Sequence, residues 1–143
     1  MRALLVIWGA VWCSINTFWG LLCAVFGGTR FLRFDPTWGA GLFLVKKGGL
    51  CDRWMNGGGF GGLVTNGVAA FTCGLVIIFA KEEYAVEPML THENRHVWQG
   101  FLLGPFHGPV YLVGLLVAKL QGKQPYRGCF LEEDARRHAG EPV

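Results

Sequence analysis

Three residues in the middle of the chain have the types and spacing for metal chemistry: His92, Glu93 and His96 form the pattern His-Glu-x-x-His. On a helix, residues four apart face the same way, so both imidazoles can bind one ion. Glu93 lies at the edge of that face and can accept a proton from a metal-activated water without binding the metal. The pattern predicts a zinc site with Glu93 as the general base. The alternative is a pair of surface histidines on a solvated helix.

Two histidines do not complete a zinc site, because catalytic zinc takes three protein ligands and leaves a position for water. The spacing of the remaining donors does not choose a third ligand. The candidates are the other two histidines and four acidic residues near the C-terminus: His107, His138, Glu132, Glu133, Asp134 and Glu141. Gln99 and Leu102 occupy the positions where a metzincin has glycine and histidine, which excludes that class.

Three further side chains are candidates for roles around the metal. Gln99 follows His92 by seven residues on the same helical face, so it can orient a metal ligand or face the substrate; plain helix surface is the alternative. Tyr111 can supply an oxyanion-stabilising hydroxyl, or it can anchor an apolar segment at an interface. His107 lies between two Gly-Pro pairs and is predicted to be a loop residue rather than a ligand.

The segment HENRHVWQGFLLGP resembles a stretch of small membrane-associated proteins of the gluzincin type, which share H-E-x-x-H-x-x-Q, Leu-Gly-Pro, a Tyr in an apolar segment and E-x-x-A. The resemblance covers roughly residues 57–137 and includes Tyr111 and Glu132 with Ala135. It implies zinc as the cofactor, with His92, His96 and Glu132 as ligands. Larger gluzincin peptidases also carry a substrate-binding edge strand and an added domain, and neither is recognisable in this sequence.

The C-terminal acidic run gives Glu132 separate support. On a helix, Glu132, Glu133 and Asp134 fan out by about 100° each, so only one can point squarely at the ion. Glu132 shares a face with Ala135, whose small side chain would let this helix approach the histidine helix closely. We therefore expect Glu132 at the metal, while Glu133 and Asp134 face away and form solvated ion pairs with Arg137 or His138.

The elements that must position these residues are predicted as follows. Glycine-punctuated β-like runs occupy residues 29–80 and predict a small glycine-rich antiparallel sheet, with strands at Gly41–Val45 and residues 71–79. Residues 57–62, GGGFGG, predict a tight turn or bulge, since no Gly-Lys-Ser/Thr follows for a phosphate-binding loop. Pro88 begins a helix that runs to the Gly104-Pro105 break. Residues 101–120 form a broken or interfacial apolar segment, and a short helix follows near the C-terminus.

The N-terminus predicts a membrane anchor. Residues 3–27 contain no charged residue, and 25 helical residues reach roughly 37 Å, enough to cross a hydrocarbon core of ~30 Å. We assign residues 1–28 to a transmembrane anchor and 29–143 to a single minimal zincin-like domain. The basic residues Arg30 and Arg33 just after the apolar run favour a cytoplasmic location for the rest of the chain.

Composition agrees with one membrane-associated α+β domain. The chain has 143 residues, 52% of them hydrophobic and only 16% charged, and a net charge of +3. This charge is too small to indicate nucleic-acid binding, so the expected partner is the lipid bilayer. Five cysteines without a C-x-x-C pair make a zinc ribbon or disulfide scaffold unlikely, and we expect free thiols.

Two functions from different classes fit the sequence. The first is a membrane-anchored zinc metallohydrolase, most simply a peptidase, with metal-activated water and Glu93 as the base. The second is a structural or accessory subunit of a larger membrane or particle assembly, with a vestigial or purely structural metal site. An open metal position in an accessible groove would favour the enzyme, and a closed four-ligand site would favour the subunit.

Overall fold

The structure is a computed structural model that describes residues 2–57 and 67–142. These residues form an α+β fold, as predicted. Its helices are α1 (Arg2–Trp12), α2 (Ser14–Phe26), α3 (Leu50–Asn56), α4 (Met89–Leu103), α5 (His107–Leu120), α6 (Pro125–Gly128) and α7 (Phe130–Ala139). Its strands are β1 (Thr29–Phe34), β2 (Gly41–Val45), β3 (Ala70–Cys73) and β4 (Val76–Phe79), and 3-10 turns occupy Glu82–Tyr84 and Gly104–Phe106.

The N-terminal apolar run is a bent pair of helices and not the single straight helix that was predicted. Leu4–Trp12 and Ser14–Phe26 meet at 69°. The two helices follow different surfaces: α1 packs on α4, while α2 packs on β3, β4 and the Gly104–Phe106 turn. At Gly20 the contact is so close that a Cβ would lie 2.6 Å from the carbonyl oxygen of Cys73. Packing on two surfaces accounts for the bend, which hydropathy alone does not reveal.

The four strands form one mixed sheet in the order β1-β2-β4-β3. Its outer pairs are antiparallel and its central pair, β2 with β4, is parallel. The prediction of an antiparallel sheet was therefore wrong for the central pair. In the chain, α3 and β3 lie between β2 and β4, and the two strands run in the same direction. The predicted strand at 71–79 is a hairpin, because Gly74 adopts φ +61° and turns the chain between β3 and β4. Most of the GGGFGG segment lies outside the described residues.

Helix α4 covers one face of the sheet and builds the main core with it. Leu42, Ile77 and Phe79 of the sheet pack in one cluster with Val97 and Phe101 of α4. Each of these side chains is almost fully buried, a state that stabilises a fold by about 1.5–3 kcal/mol per side chain. This packing fixes the histidine-bearing helix on the sheet.

The apolar segment after α4 is broken, as predicted. The 3-10 turn Gly104–Phe106 separates α4 from α5, and Asn16 of α2 donates a hydrogen bond from Nδ2 to the Gly104 carbonyl oxygen at 2.6 Å. By length and composition alone, Met89–Leu120 and the bent N-terminal pair are each apolar enough to cross a membrane. Met89–Leu120 is one third buried, and its first half belongs to the core described above. Helix α7 is the predicted C-terminal helix, and it packs against α4.

Candidate metal site

Helix α4 places His92 and His96 one turn apart on the same buried face. Their Nε2 atoms lie 3.2 Å from each other, and both side chains are at least nine-tenths buried. Two imidazole nitrogens this close, shielded from water, form an arrangement suited to sharing one ion or one proton. The spacing of four residues on a helix therefore places both imidazoles on one face, as predicted.

Glu132 on α7 meets the two histidines from the other side. Its Oε2 lies 3.3 Å from Nε2 of His92, and its Oε1 lies 3.3 Å from Nε2 of His96. One donor atom from each of the three buried residues falls within 4.8 Å of the others, so the group could hold a metal ion. Ala135, one turn further along α7, is fully buried, in keeping with a close approach of α7 to α4.

The charges at this cluster are strongly coupled. Burial alone would raise the pKa of Glu132, but the charge of His96 and hydrogen bonds from His92, His96 and Tyr111 hold it well below its usual range. Burial lowers the pKa of His96, but Glu132, Glu93 and Gln99 together raise it to about 9. In the absence of a metal the cluster therefore binds a proton, and a divalent cation would have to displace it.

Gln99 orients His96. Its Oε1 lies 2.8 Å from His96 Nδ1, while its Nε2 donates to the carbonyl oxygen of Leu131 and to Asp134. Because the Gln99 amide nitrogen is used elsewhere, its oxygen accepts the proton of Nδ1, and this tautomer leaves Nε2 of His96 free for a metal. Gln99 is therefore not plain helix surface but a buried link between α4 and α7.

Tyr111 and Glu141 complete the surroundings of the three donors. The Tyr111 hydroxyl on α5 donates to Oε1 of Glu132 at 2.7 Å, so Tyr111 holds the carboxylate rather than only anchoring a segment. Oε2 of Glu141 lies 3.3 Å from Nδ1 of His92, the nitrogen that faces away from Glu132. A carboxylate at that nitrogen favours the tautomer with a free Nε2.

Glu93 is buried beside the cluster but is not part of the donor group. Its Oε2 accepts a hydrogen bond from Oγ1 of Thr72 on β3 at 2.6 Å. Burial raises the pKa of Glu93, against the lowering effect of His96 and His92. A carboxyl group with a raised pKa, held in place by one hydrogen bond, can accept a proton and release it again.

The remaining candidate ligands from the sequence lie elsewhere or face other partners. Glu133 pairs with Lys123 and Arg137, each at 3.5 Å. Asp134 was expected to pair with Arg137 or His138, but its carboxylate pairs with Arg95 of α4 at 2.8 Å. His138 is exposed and lines a separate surface depression with Trp38 and Trp98.

His107 has a different position from the loop residue that the sequence predicted. It is the first residue of α5, it is buried, and its Nε2 has no hydrogen-bond partner within the described part of the chain. Its ring centroid lies 6.4 Å from that of His96. Burial and the charge of His96 lower the pKa of His107 to about 4, which keeps the ring neutral. Because the Gly104–Phe106 turn separates α4 from α5, helical periodicity from His96 gives no signal for this position.

A cavity of about 370 Å³ opens beside the cluster. It is lined by Glu93, His96, Glu132 and His107, and strand β3 forms one of its walls. Within residues 2–57 and 67–142, β3 pairs only with β4 and is an edge strand. The sequence did not reveal this edge strand, because it was hidden within the single run at 71–79.

Comparison with protein-family models, with curated proteins and with solved structures gives no match for this chain.

Proposed function

We propose that this protein is a membrane-associated zinc metallohydrolase that acts on peptide bonds, with zinc held by His92, His96 and Glu132. The observation that carries the proposal is the convergence of these donors, within 4.8 Å, at the wall of an accessible cavity. Two histidines and one glutamate are a ligand set of known catalytic zinc sites, which keep the fourth position open. The cavity next to His96 and Glu132 supplies the space for that position.

The surrounding side chains support a hydrolytic reaction. Zinc bound there would polarise a substrate carbonyl and lower the pKa of water at the site. Glu93 lies in the cavity wall and is the base that takes a proton from the attacking water and later delivers it to the leaving amine. Thr72 fixes one carboxylate oxygen, so the other is available for that transfer.

His107 is the proposed stabiliser of the oxyanion. Its Nε2 is buried at a cavity wall shared with His96 and has no hydrogen-bond partner among the described residues. Leaving a buried polar atom unpaired costs free energy. A hydrogen bond from this nitrogen to the negative oxygen that develops on the substrate would satisfy it in the transition state.

The edge strand supports a peptide as the substrate. Strand β3 lines the cavity, and its outer backbone groups are not used by another described strand. An extended peptide can add to such an edge through main-chain hydrogen bonds. The scissile carbonyl would then lie next to Thr72 and Glu93.

The exposed apolar surface supports membrane association. Large side chains on α1, α2 and α5 are exposed rather than packed, and large contiguous patches of this kind mark interaction or membrane surfaces. They include Leu4, Ile7, Trp8, Val11, Phe18, Trp19, Val25, Phe26, Leu112, Val113, Leu116 and Leu120. We propose that the bent pair α1–α2 and the outer face of α5 insert into one bilayer, either as a broken span or as a re-entrant segment.

Metal analysis combined with an activity assay tests the proposal. Full-length protein purified in detergent is expected to hold one zinc per chain, and His96→Ala is expected to lose it. Wild type should cleave members of a fluorescence-quenched peptide library, and cleavage should stop on chelation and return with zinc. One zinc per chain without cleavage of any peptide would favour the structural subunit, and retention of zinc by His96→Ala would refute the site.

A further inference from the structure

The cavity is larger than the reaction itself requires. Its volume of about 370 Å³ falls in the range of small-molecule binding sites, about 300–1,000 Å³. A carbonyl group and one attacking water occupy only a small part of that space. The remaining volume is available to a side group of the substrate next to the scissile bond.

The lining of the cavity combines polar groups, among them Glu93, His96 and Glu132, with a larger apolar surface. The apolar surface includes Val68, Ala70 and Phe71 on the sheet side, and Pro109 and Leu112 on α5. The described lining contains no lysine or arginine. A charged substrate group there would lose its water without gaining a partner, which is unfavourable.

The mouth of the cavity is also apolar. Its exposed lining residues are Gly108, Pro109 and Leu112 on α5, and Leu112 is 53% exposed. Helix α2 contributes Asn16 to the lining, and Trp19, three residues on and 57% exposed, is its neighbour on the helix surface. The mouth therefore opens onto the same surface that is proposed to face the membrane.

We infer that the site cleaves peptide bonds next to a large apolar side chain, in segments presented at the membrane surface. This inference rests on the proposed function. The apolar side chain enters the space between β3 and α5 while the substrate backbone follows β3. Water adds to the carbonyl carbon, the C–N bond breaks, and the products are a carboxylate and an amine that receives its proton through Glu93.

Hydroxamates chelate zinc, so compounds that differ only in their side group distinguish binding to the metal from binding in the apolar pocket. The probes are acetohydroxamate and the hydroxamates of N-acetyl-leucine, N-acetyl-lysine and decanoic acid, titrated into zinc-loaded full-length protein in detergent micelles. Complete burial of a leucine side chain corresponds to about ten- to a hundredfold in Kd. We expect the leucine compound to bind more tightly than the lysine compound and acetohydroxamate by a factor in this range.

Variants at the mouth of the cavity test whether the preference for leucine over lysine arises there. A Cβ on Gly108 would meet no atom within 4 Å, so Gly108→Leu adds bulk at the mouth without a clash. We expect Gly108→Leu and Leu112→Trp to reduce the preference for leucine over lysine to less than about threefold. Leu116→Trp, one turn further along α5 at an exposed site outside the cavity, should retain the wild-type preference. Zinc content and far-UV circular dichroism verify that each variant is folded.

The outcomes distinguish this inference from the proposed function. If zinc-loaded protein binds none of the hydroxamates, the open metal site itself is refuted. If acetohydroxamate binds but leucine has no advantage over lysine, the metal site is supported and the apolar pocket is refuted. If the decanoyl compound binds more tightly than the leucine compound, the pocket is shaped for an acyl chain, and the inference of a peptide substrate is overturned.

Discussion

Replacement of Glu132 by alanine is expected to weaken zinc binding by about 10²–10³-fold. Structural zinc sites bind with about 10–16 kcal/mol at neutral pH, so one of four coordination positions represents roughly 2.5–4 kcal/mol. No other described carboxylate belongs to the donor group. Glu93 accepts a hydrogen bond from Thr72, and Glu141 lies at Nδ1 of His92. The buried histidines would then hold the ion alone.

Glu133→Ala is the matched control on the same helix. Its carboxylate contacts Lys123 and Arg137 at 3.5 Å, and both partners are more than half exposed, so these pairs contribute little. We expect its zinc Kd to stay within about threefold of wild type. Glu132→Gln keeps the side-chain volume and a hydrogen-bond acceptor for Tyr111, and it should still lose most of the affinity because it lacks the charge.

Competition with a chromophoric chelator measures each Kd in detergent at one fixed pH, and circular dichroism verifies the helices. The assignment of Glu132 fails if Glu133→Ala weakens zinc more than Glu132→Ala does. It also fails if Glu132→Ala binds zinc as wild type does while remaining folded.

Further predictions address the other parts of the site. Glu93→Gln should retain zinc and reduce peptide cleavage by about 10²–10⁴-fold; loss of zinc comparable to His92→Ala would show that Glu93 is a ligand. His107→Phe should lower kcat by about 10²–10³-fold with little change in KM or zinc content, and an effect confined to KM would contradict its role. Because the pKa of His96 without metal is about 9, protons compete with zinc, so the affinity should fall as the pH falls from 9 to 6.5 and binding should release protons in weak buffer. The raised pKa of His96 also means that its protonation stabilises the folded, metal-free protein, fully below pH 6.5. This stabilisation should disappear as the pH rises through 9. A melting temperature of the metal-free protein that rises between pH 6.5 and 9 would contradict this prediction. Full-length protein should resist carbonate extraction from membranes, and its recovery in the soluble fraction would refute membrane association.

The parts of the site set by local geometry were predictable from sequence. The spacing of His92 and His96 determines their common face once a helix is accepted, and Pro88 and Gly104 indicate where that helix begins and ends. Because consecutive helical residues point in different directions, only one of the three acidic residues in the run on α7 could point squarely at the ion. The choice of Glu132 followed from the small Ala135 and from a family resemblance, and the structure brings these residues together.

The parts set by tertiary packing were not predictable. Gly74 lies within the apolar run at 71–79 and has a positive φ. Its turn joins β3 to β4, and α2 packs on both strands. The parallel alignment of β2 with β4 depends on the path of the chain between them, which periodicity does not determine. Likewise, an apolar run of 25 residues has the same hydropathy whether it is straight or bent by 69°. The edge strand and the mouth of the cavity both result from these long-range contacts.

The break at Gly104–Phe106 connects the apolar character of the chain with its candidate chemistry. On one side of the break, α4 is largely buried and carries His96; on the other, α5 places His107 and Tyr111 at the cavity while its outer face remains apolar and exposed. Asn16 of α2 lines the same cavity and also donates to the Gly104 carbonyl oxygen. The N-terminal helices are therefore bound to the break and help form the mouth of the site. A simple tether would not need this contact, so under the proposed function the N-terminal pair would contribute to the candidate site as well as to the proposed membrane association.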